Sequence, residues 1–114
     1  MCIRDRALNV RRFLELGMLP KMVVSSDAGP FDIEFGKLWQ GLEVAVAGGM
    51  TTMQALQAST RTAAKACGVL DKVGTLEVGK EADVLVVEAS PLDNIRNLRD
   101  VVAVFKAGER VVGA

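Results

Sequence analysis

The chain has 114 residues, half of them hydrophobic, and its 14 Lys plus Arg balance 14 Asp plus Glu. With no long run of one charge sign, 4% aromatic residues and no Tyr, it lacks the makings of a nucleic-acid surface, a base-stacking platform or a patch for an anionic membrane. It also contains no histidine, the commonest metal ligand and the usual general base near neutral pH, which excludes most self-contained hydrolytic mechanisms.

The length suits one small domain or a piece of a larger one. Cys2 and Cys67 lie far apart and form no C-x-x-C pair, which argues against a disulfide framework or zinc knuckle and for a reducing, cytoplasmic setting. No apolar run approaches the ~20 residues of a membrane span. Met1–Arg6 is short and mixed in charge, with no apolar stretch after it, so it does not read as a signal peptide.

In chain order, Ala7–Leu16 reads as a helix with Val10, Phe13 and Leu14 on one face, and Gly17 is placed to cap it. Pro20 then breaks the chain before Lys21–Ser25. That run is short, apolar and β-branched, without alternation, as expected of a strand buried on both faces of a parallel sheet. It leads into Ser25-Ser26-Asp27-Ala28-Gly29-Pro30, and small polar residues after a buried strand mark the loop face where parallel-sheet enzymes keep their chemistry. Phe35–Ala47 reads as a second helix with Leu38, Leu42, Ala45 and Val46 as its apolar stripe, ended by Gly48-Gly49. Thr51 and Gln54 have the spacing of a capping box for a short helix through Ala58. Ser59 or Thr60 is expected to cap a further helix, Arg61–Cys67, closed by Gly68.

Near Leu70 the pattern changes. Val73–Val78, Ala82–Glu88, Val101–Ala107 and Arg110–Val112 read as strands, with Gly79-Lys80 and Gly108-Glu109 as tight hairpin turns. Pro91–Arg99 reads as a polar connector with room for one helical turn. The fold class is therefore α/β. A single parallel-type strand cannot satisfy its own backbone hydrogen bonds, so Lys21–Ser25 needs neighbours that the sequence does not contain, which points to a fragment.

Few residues carry chemistry. Asp27, at the end of the predicted inner strand, suits a metal ligand or a base, and equally a turn or helix cap. Gly48-Gly49 lacks the spacing of a phosphate cradle and reads as a helix cap. Asp83 is expected to accept hydrogen bonds from nearby backbone amides. Cys67 reads as a small buried hydrophobe. Trp39 reads as packing, and Lys37, Glu43, Arg61 and Lys65 as solvated helix-face charges.

The order of motifs resembles the metal-dependent amidohydrolase superfamily, its imidazolonepropionase-like and prolidase-like members in particular. Val24-Ser25-Ser26-Asp27-Ala28-Gly29 looks like the end of the eighth barrel strand. Gly49–Leu56 followed by Ser59–Ala64 is similar to the next helical segment. Val73–Val87 and Val104–Val112 look like the hairpins of the small β-domain. The resemblance implies a distorted (β/α)8 barrel of the TIM type plus a small composite β-sandwich. Residues 7–70 would be the last β/α units of the barrel and 71–114 the C-terminal sandwich strands. Separately, Met1-Cys2-Ile3-Arg4-Asp5-Arg6 resembles a leader translated from sequencing adapter, so residues 1–6 are expected to be non-native.

It further implies hydrolysis of carbon–nitrogen bonds, in non-peptide amides, cyclic amides or dipeptides, by water activated on one or two divalent metals, often zinc. Asp27 would be both metal ligand and catalytic proton relay. The family's other ligands are histidines, sometimes with a carboxylated lysine, and the strands bearing them are absent. A catalytic metal needs about three protein ligands, so the chain is expected to be inactive alone. The rival expectation is a non-catalytic β-rich binding or scaffolding module. A third is a pairing with a separate chain that supplies the histidines. A small-molecule partner is expected, with no nucleic acid and no membrane, and an oligomer is compatible with the sequence.

Overall fold

The structure, a computed structural model, describes residues 3–26 and 36–113. Helix α1 spans Ile3–Glu15, so residues 3–6 continue the helix ahead of its predicted start. Val10 and Leu14 turn toward the core, whereas Phe13, expected on the same face, is 45% exposed. Gly17 adopts a left-handed φ of 72°, and the Met18 N–H donates to Phe13 O at 3.1 Å while the Gly17 N–H donates to Leu14 O at 3.0 Å. This pair of bonds satisfies carbonyls that the helix end leaves open.

A single 3₁₀ turn, Leu19–Lys21, has Pro20 near its start. The predicted strand over Lys21–Ser25 does not form: Lys21 belongs to the turn and residues 22–26 join no sheet. The backbone is extended at Met22 (φ −84°, ψ 128°), as the composition favours, but no parallel neighbour lies beside it among the described residues. Propensity makes the chain extended; only a partner makes it a strand.

Helix α2, Leu38–Ala47, buries Leu42, Val44 and Ala45. It crosses α1 so closely at Gly48 that a Cβ there would sit 2.5 Å from Val10 Cβ and 2.7 Å from Ala7 O. Helix α3, Thr52–Ser59, opens with the expected capping box: the Gln54 N–H donates to Thr51 Oγ1 at 3.1 Å, and the Thr51 N–H donates to Gln54 Oε1 at 3.0 Å. Helix α4, Arg61–Ala66, follows after a break at Thr60. Neither predicted cap works as one. Ser59 and Thr60 both donate their hydroxyls back to Leu56 O, at 3.0 and 2.7 Å, the local bond that competes with capping. Gly68, with φ 74°, closes α4 as expected, and the Val69 N–H reaches back to Ala64 O at 2.9 Å.

The expected strand over Val73–Val78 is a series of turns. Leu76 is 80% exposed and Val78 fully so. Its order comes from side chains: Lys80 Nζ donates to Thr75 Oγ1 at 2.6 Å and pairs with Glu77 at 2.8 Å. Gly79 sits in a turn, but not one between two strands.

Three antiparallel strands then form a sheet in the order β1-β2-β3: β1 Val84–Val87, β2 Val101–Lys106 and β3 Glu109–Val112. Val84 pairs with Phe105 and Val86 with Ala103; Lys106 pairs with Glu109. The β2–β3 turn falls on Ala107-Gly108, one residue before the predicted pair. Both residues have positive φ, 51° and 82°, which matches the right-handed twist of the flanking strands. The connector contains a 3₁₀ helix, Ile95–Arg99, started by Asn94, whose side chain accepts from the Arg96 N–H at 3.0 Å. Ile95 inserts into the helical core, joining Leu42, Ala45, Met50, Ala55 and Ala58.

Candidate functional site

Asp27 lies outside the described residues, as do all of residues 27–35, and the described backbone nearest to it is the run 22–26. Residues 22–26 lie across α2 and α3. The Val24 N–H donates to Ala58 O, the last-turn carbonyl of α3, at 3.3 Å. Gly41, in the middle of α2, lets the run approach: a Cβ there would sit 3.3 Å from Val24 Cγ1 and 3.4 Å from Ser25 O. Sequence reasoning passed over Gly41, though a glycine inside an apolar helical pattern is itself a sign of close packing.

The second predicted carboxylate, Asp83, does what its setting suggested. Oδ1 accepts the Ala107 N–H and Oδ2 accepts Lys106 Nζ, each at 2.9 Å. The amide bond first, and the ammonium second, hold this carboxyl below its ordinary value, while Asp83 in turn raises Lys106. Lys106 ends β2 and Ala107 opens the Ala107-Gly108 turn, so Asp83 clamps the hairpin and is not free for catalysis. Glu77 is also lowered, by hydrogen bonds from Lys80 and Thr75.

Two polar residues need correction. Glu43, expected as a solvated charge, accepts from Arg96 Nε at 2.9 Å and from its Nη2 as well, and this bond raises Arg96. Beside it, Arg99 stacks over Trp39 at 5.3 Å from the ring centre. The packing role expected of Trp39 thus includes a cation, and the two arginines fasten the connector to α2. Cys67, expected to be buried, is exposed, because α4 stops at Ala66 and the residue falls in the closing turn.

A cleft of about 900 Å³ separates α3 and α4 from β1. Its walls are largely apolar, with Leu56, Ala63, Val73, Leu85 and Leu98 among them. Thr60, Glu81 and Asp83 reach its surface, but Asp83 is committed to the hairpin. No group of three or more His, Cys, Asp or Glu able to hold a metal ion occurs among the described residues. No described helix is long and apolar enough to cross a membrane.

The family model for the amidohydrolase family matches residues 1–111. The chain belongs to the amidohydrolase family. Among relatives in this family, imidazolonepropionase from Mesorhizobium japonicum is 40% identical over 67 residues, 58% of this chain and 16% of that protein. In solved structures, a putative prolidase from Bifidobacterium longum superposes with a TM-score of 0.83 at 37% identity, covering 92% of this chain and 26% of its own. A Xaa-Pro dipeptidase with bound methionine in its active site superposes with a TM-score of 0.84 at 33% identity, covering 94% and 25%. The chain thus spans between 16% and 26% of the length of these amidohydrolases.

Proposed function

We propose that this chain is the C-terminal part of a longer metal-dependent amidohydrolase that hydrolyses a carbon–nitrogen bond in a small amide, cyclic amide or dipeptide, and that the chain is inactive alone. The observation that carries the reading is a pairing. The family model runs over residues 1–111, yet the chain has no histidine and its described residues hold no metal-binding group. On this reading α1–α4 are the last β/α units of a (β/α)8 barrel and β1–β3 belong to a β-sandwich. The run 22–26, which joins no sheet among the described residues, is then an inner barrel strand whose neighbours lie elsewhere in the parent.

Asp27 is the one metal ligand and catalytic carboxylate this segment supplies; the divalent ion, zinc by family, is held mainly by residues of the parent. The residues present do not make a metal site by themselves, since one carboxylate falls short of the about three protein ligands a catalytic ion takes. The substrate class follows the relatives, an imidazolonepropionase and a Xaa-Pro dipeptidase by name. The absence of paired cysteine spacing favours a reducing compartment.

The test is genetic and then chemical. Genomic sequence read upstream of the codon for Ala7 should continue in frame for roughly 250–350 residues, the size of the rest of a barrel, and include a His-x-His pair. An in-frame stop upstream, followed by a ribosome site before Met1, removes the reading. In the parent, Asp27→Asn should abolish hydrolysis of amide and dipeptide substrates while leaving the fold intact.

A further inference from the structure

We propose that a pocket of about 250 Å³ beside α3 and α4 is an oxyanion-binding site that takes a phosphate group through Arg61 and Lys65. The proposal does not involve Asp27 and is independent of the reading given above. The apolar lining of the pocket includes Leu19 and Pro20 from the 3₁₀ turn. Its polar lining is Gln54 and Gln57 from α3, then Arg61, Thr62 and Lys65 from α4. These positions recur at spacings of three and four, so one polar face continues across the break at Thr60.

The chemistry of that lining is one-sided. No Asp or Glu contributes to it. Gln54 uses its carbonyl oxygen on the Thr51 N–H, so what it has left to offer is its amide nitrogen, a donor. Arg61 brings a planar fork of N–H donors and Lys65 a compact ammonium, and neither can accept. Other cations are matched, Lys80 by Glu77, Arg96 by Glu43 and Lys106 by Asp83, whereas among the described residues no ion pair or side-chain hydrogen bond engages Arg61 or Lys65. Glu77 is lowered first by Lys80 and Thr75 and least by Arg61, and its bonds go to Lys80 and Thr75. Arg61 and Lys65 also stand four positions apart on α4, where like charges destabilise a helix. An anion held between them turns that repulsion into attraction. Small-molecule sites enclose about 300–1,000 Å³, so this smaller pocket fits a single charged group rather than a whole drug-sized ligand. Phosphate suits it best, because its oxygens can meet the arginine fork and still accept from the ammonium. A carboxylate, with fewer oxygens, meets the fork and leaves less for Lys65.

The experiment titrates the 114-residue chain with inorganic phosphate and follows the backbone amides of Gln57, Thr62 and Lys65 by NMR, with chloride adjusted to hold ionic strength constant. Saturating shifts at these amides are expected, and acetate should bind more weakly. Arg61→Gln and Lys65→Gln should each weaken phosphate by about tenfold, the effect of losing one charged hydrogen bond. Arg61→Lys should weaken it less, because the charge remains without the fork. Lys72→Gln, at a lysine outside the pocket, should change nothing. Arg61, Lys65 and Lys72 are all exposed, so the variants should keep the fold, which the rest of each spectrum checks. In the longer hydrolase proposed to contain this chain, phosphate should raise Tm, and Arg61→Gln should remove part of that rise. Shifts that do not saturate, shifts that persist in both glutamine variants, or equal affinity for acetate overturn the proposal. So does a longer hydrolase that responds to phosphate identically with and without Arg61→Gln, since the rest of that protein then fills the pocket. If the short chain does not fold by itself, this last comparison decides.

Discussion

The helical residues 38–68 and the sheet of residues 84–112 are ordered by different forces. In the helical part, Leu42, Ala45, Met50, Ala55 and Ala58 bury one another, and the three alanines let the helices meet closely. The sheet contributes Ala103 to the buried set, and every residue of β3 is exposed. Its order comes from the backbone ladder, the two-residue turn and the Asp83 clamp. One region is held by apolar burial, the other by polar bonds, and the large cleft lies where they meet. The lesson concerns where mutation and solvent act: burial fails when volume is removed, whereas the Asp83 clamp fails when charge is removed.

The largest expected effect tests that contrast directly. Leu42→Ala should destabilise the chain by about 2–5 kcal/mol, the range for deleting a buried leucine, whereas Val111→Ala on exposed β3 should stay within about 0.5 kcal/mol. Denaturant titration of both variants measures this, and equal losses would break the comparison. Next in size, Gly48→Ala forces a methyl into Val10 and the Ala7 carbonyl, and overpacking of that kind costs about 1–3 kcal/mol. Thr51→Ala removes one half of the capping box and should cost about 1 kcal/mol, read from the same titration.

These effects sit where the sequence was legible. The capping box, the glycine stops after Leu16, Ala47 and Cys67, and the hairpin of β2 and β3 depend on residues a few positions apart, so local chemistry announces them. Asp83 was readable as an acceptor of backbone amides, although the amide it takes, Ala107, lies 24 residues along the chain and its second partner, Lys106, was not announced. The failures are non-local. Val73–Val78 and Lys21–Ser25 have strand-like composition, but each needs a neighbouring strand that local sequence cannot supply. The Glu43–Arg96 bond joins residues 53 apart, and nothing about either residue alone announces the other. Cys67 differs from expectation because the exposed side of α4 already begins at Lys65 and Ala66, and Cys67 continues it into the closing turn. Asp27 was singled out by its place after a predicted inner strand, and the role proposed for it rests on the resemblance to amidohydrolases.

The smallest effect sharpens the sheet side of the comparison through pH. The carboxyl of Asp83 is held below its ordinary value, so its bonds to Ala107 and Lys106 stabilise the hairpin above the carboxylate's unfolded pKa of about 4. That contribution disappears as pH falls through the lowered value. Lys106 is raised, so its share is present below the unfolded lysine pKa of about 10.4 and disappears only as pH climbs through the raised value. On acidification the Ala107 amide should therefore lose exchange protection before the helical amides of α2 do. Asp83→Asn should weaken the hairpin at neutral pH and remove this early acid step. Hydrogen exchange followed by NMR across an acid titration reads both, and simultaneous loss in the helices and the hairpin would contradict the division.

The most direct test of the account compares zinc content and amide hydrolysis in two purified proteins, this 114-residue chain and the longer hydrolase proposed to contain it. The account predicts no stoichiometric zinc and no turnover in the short chain, with both present in the parent and turnover lost in its Asp27→Asn variant. Tight, one-to-one zinc with turnover in the short chain would contradict it.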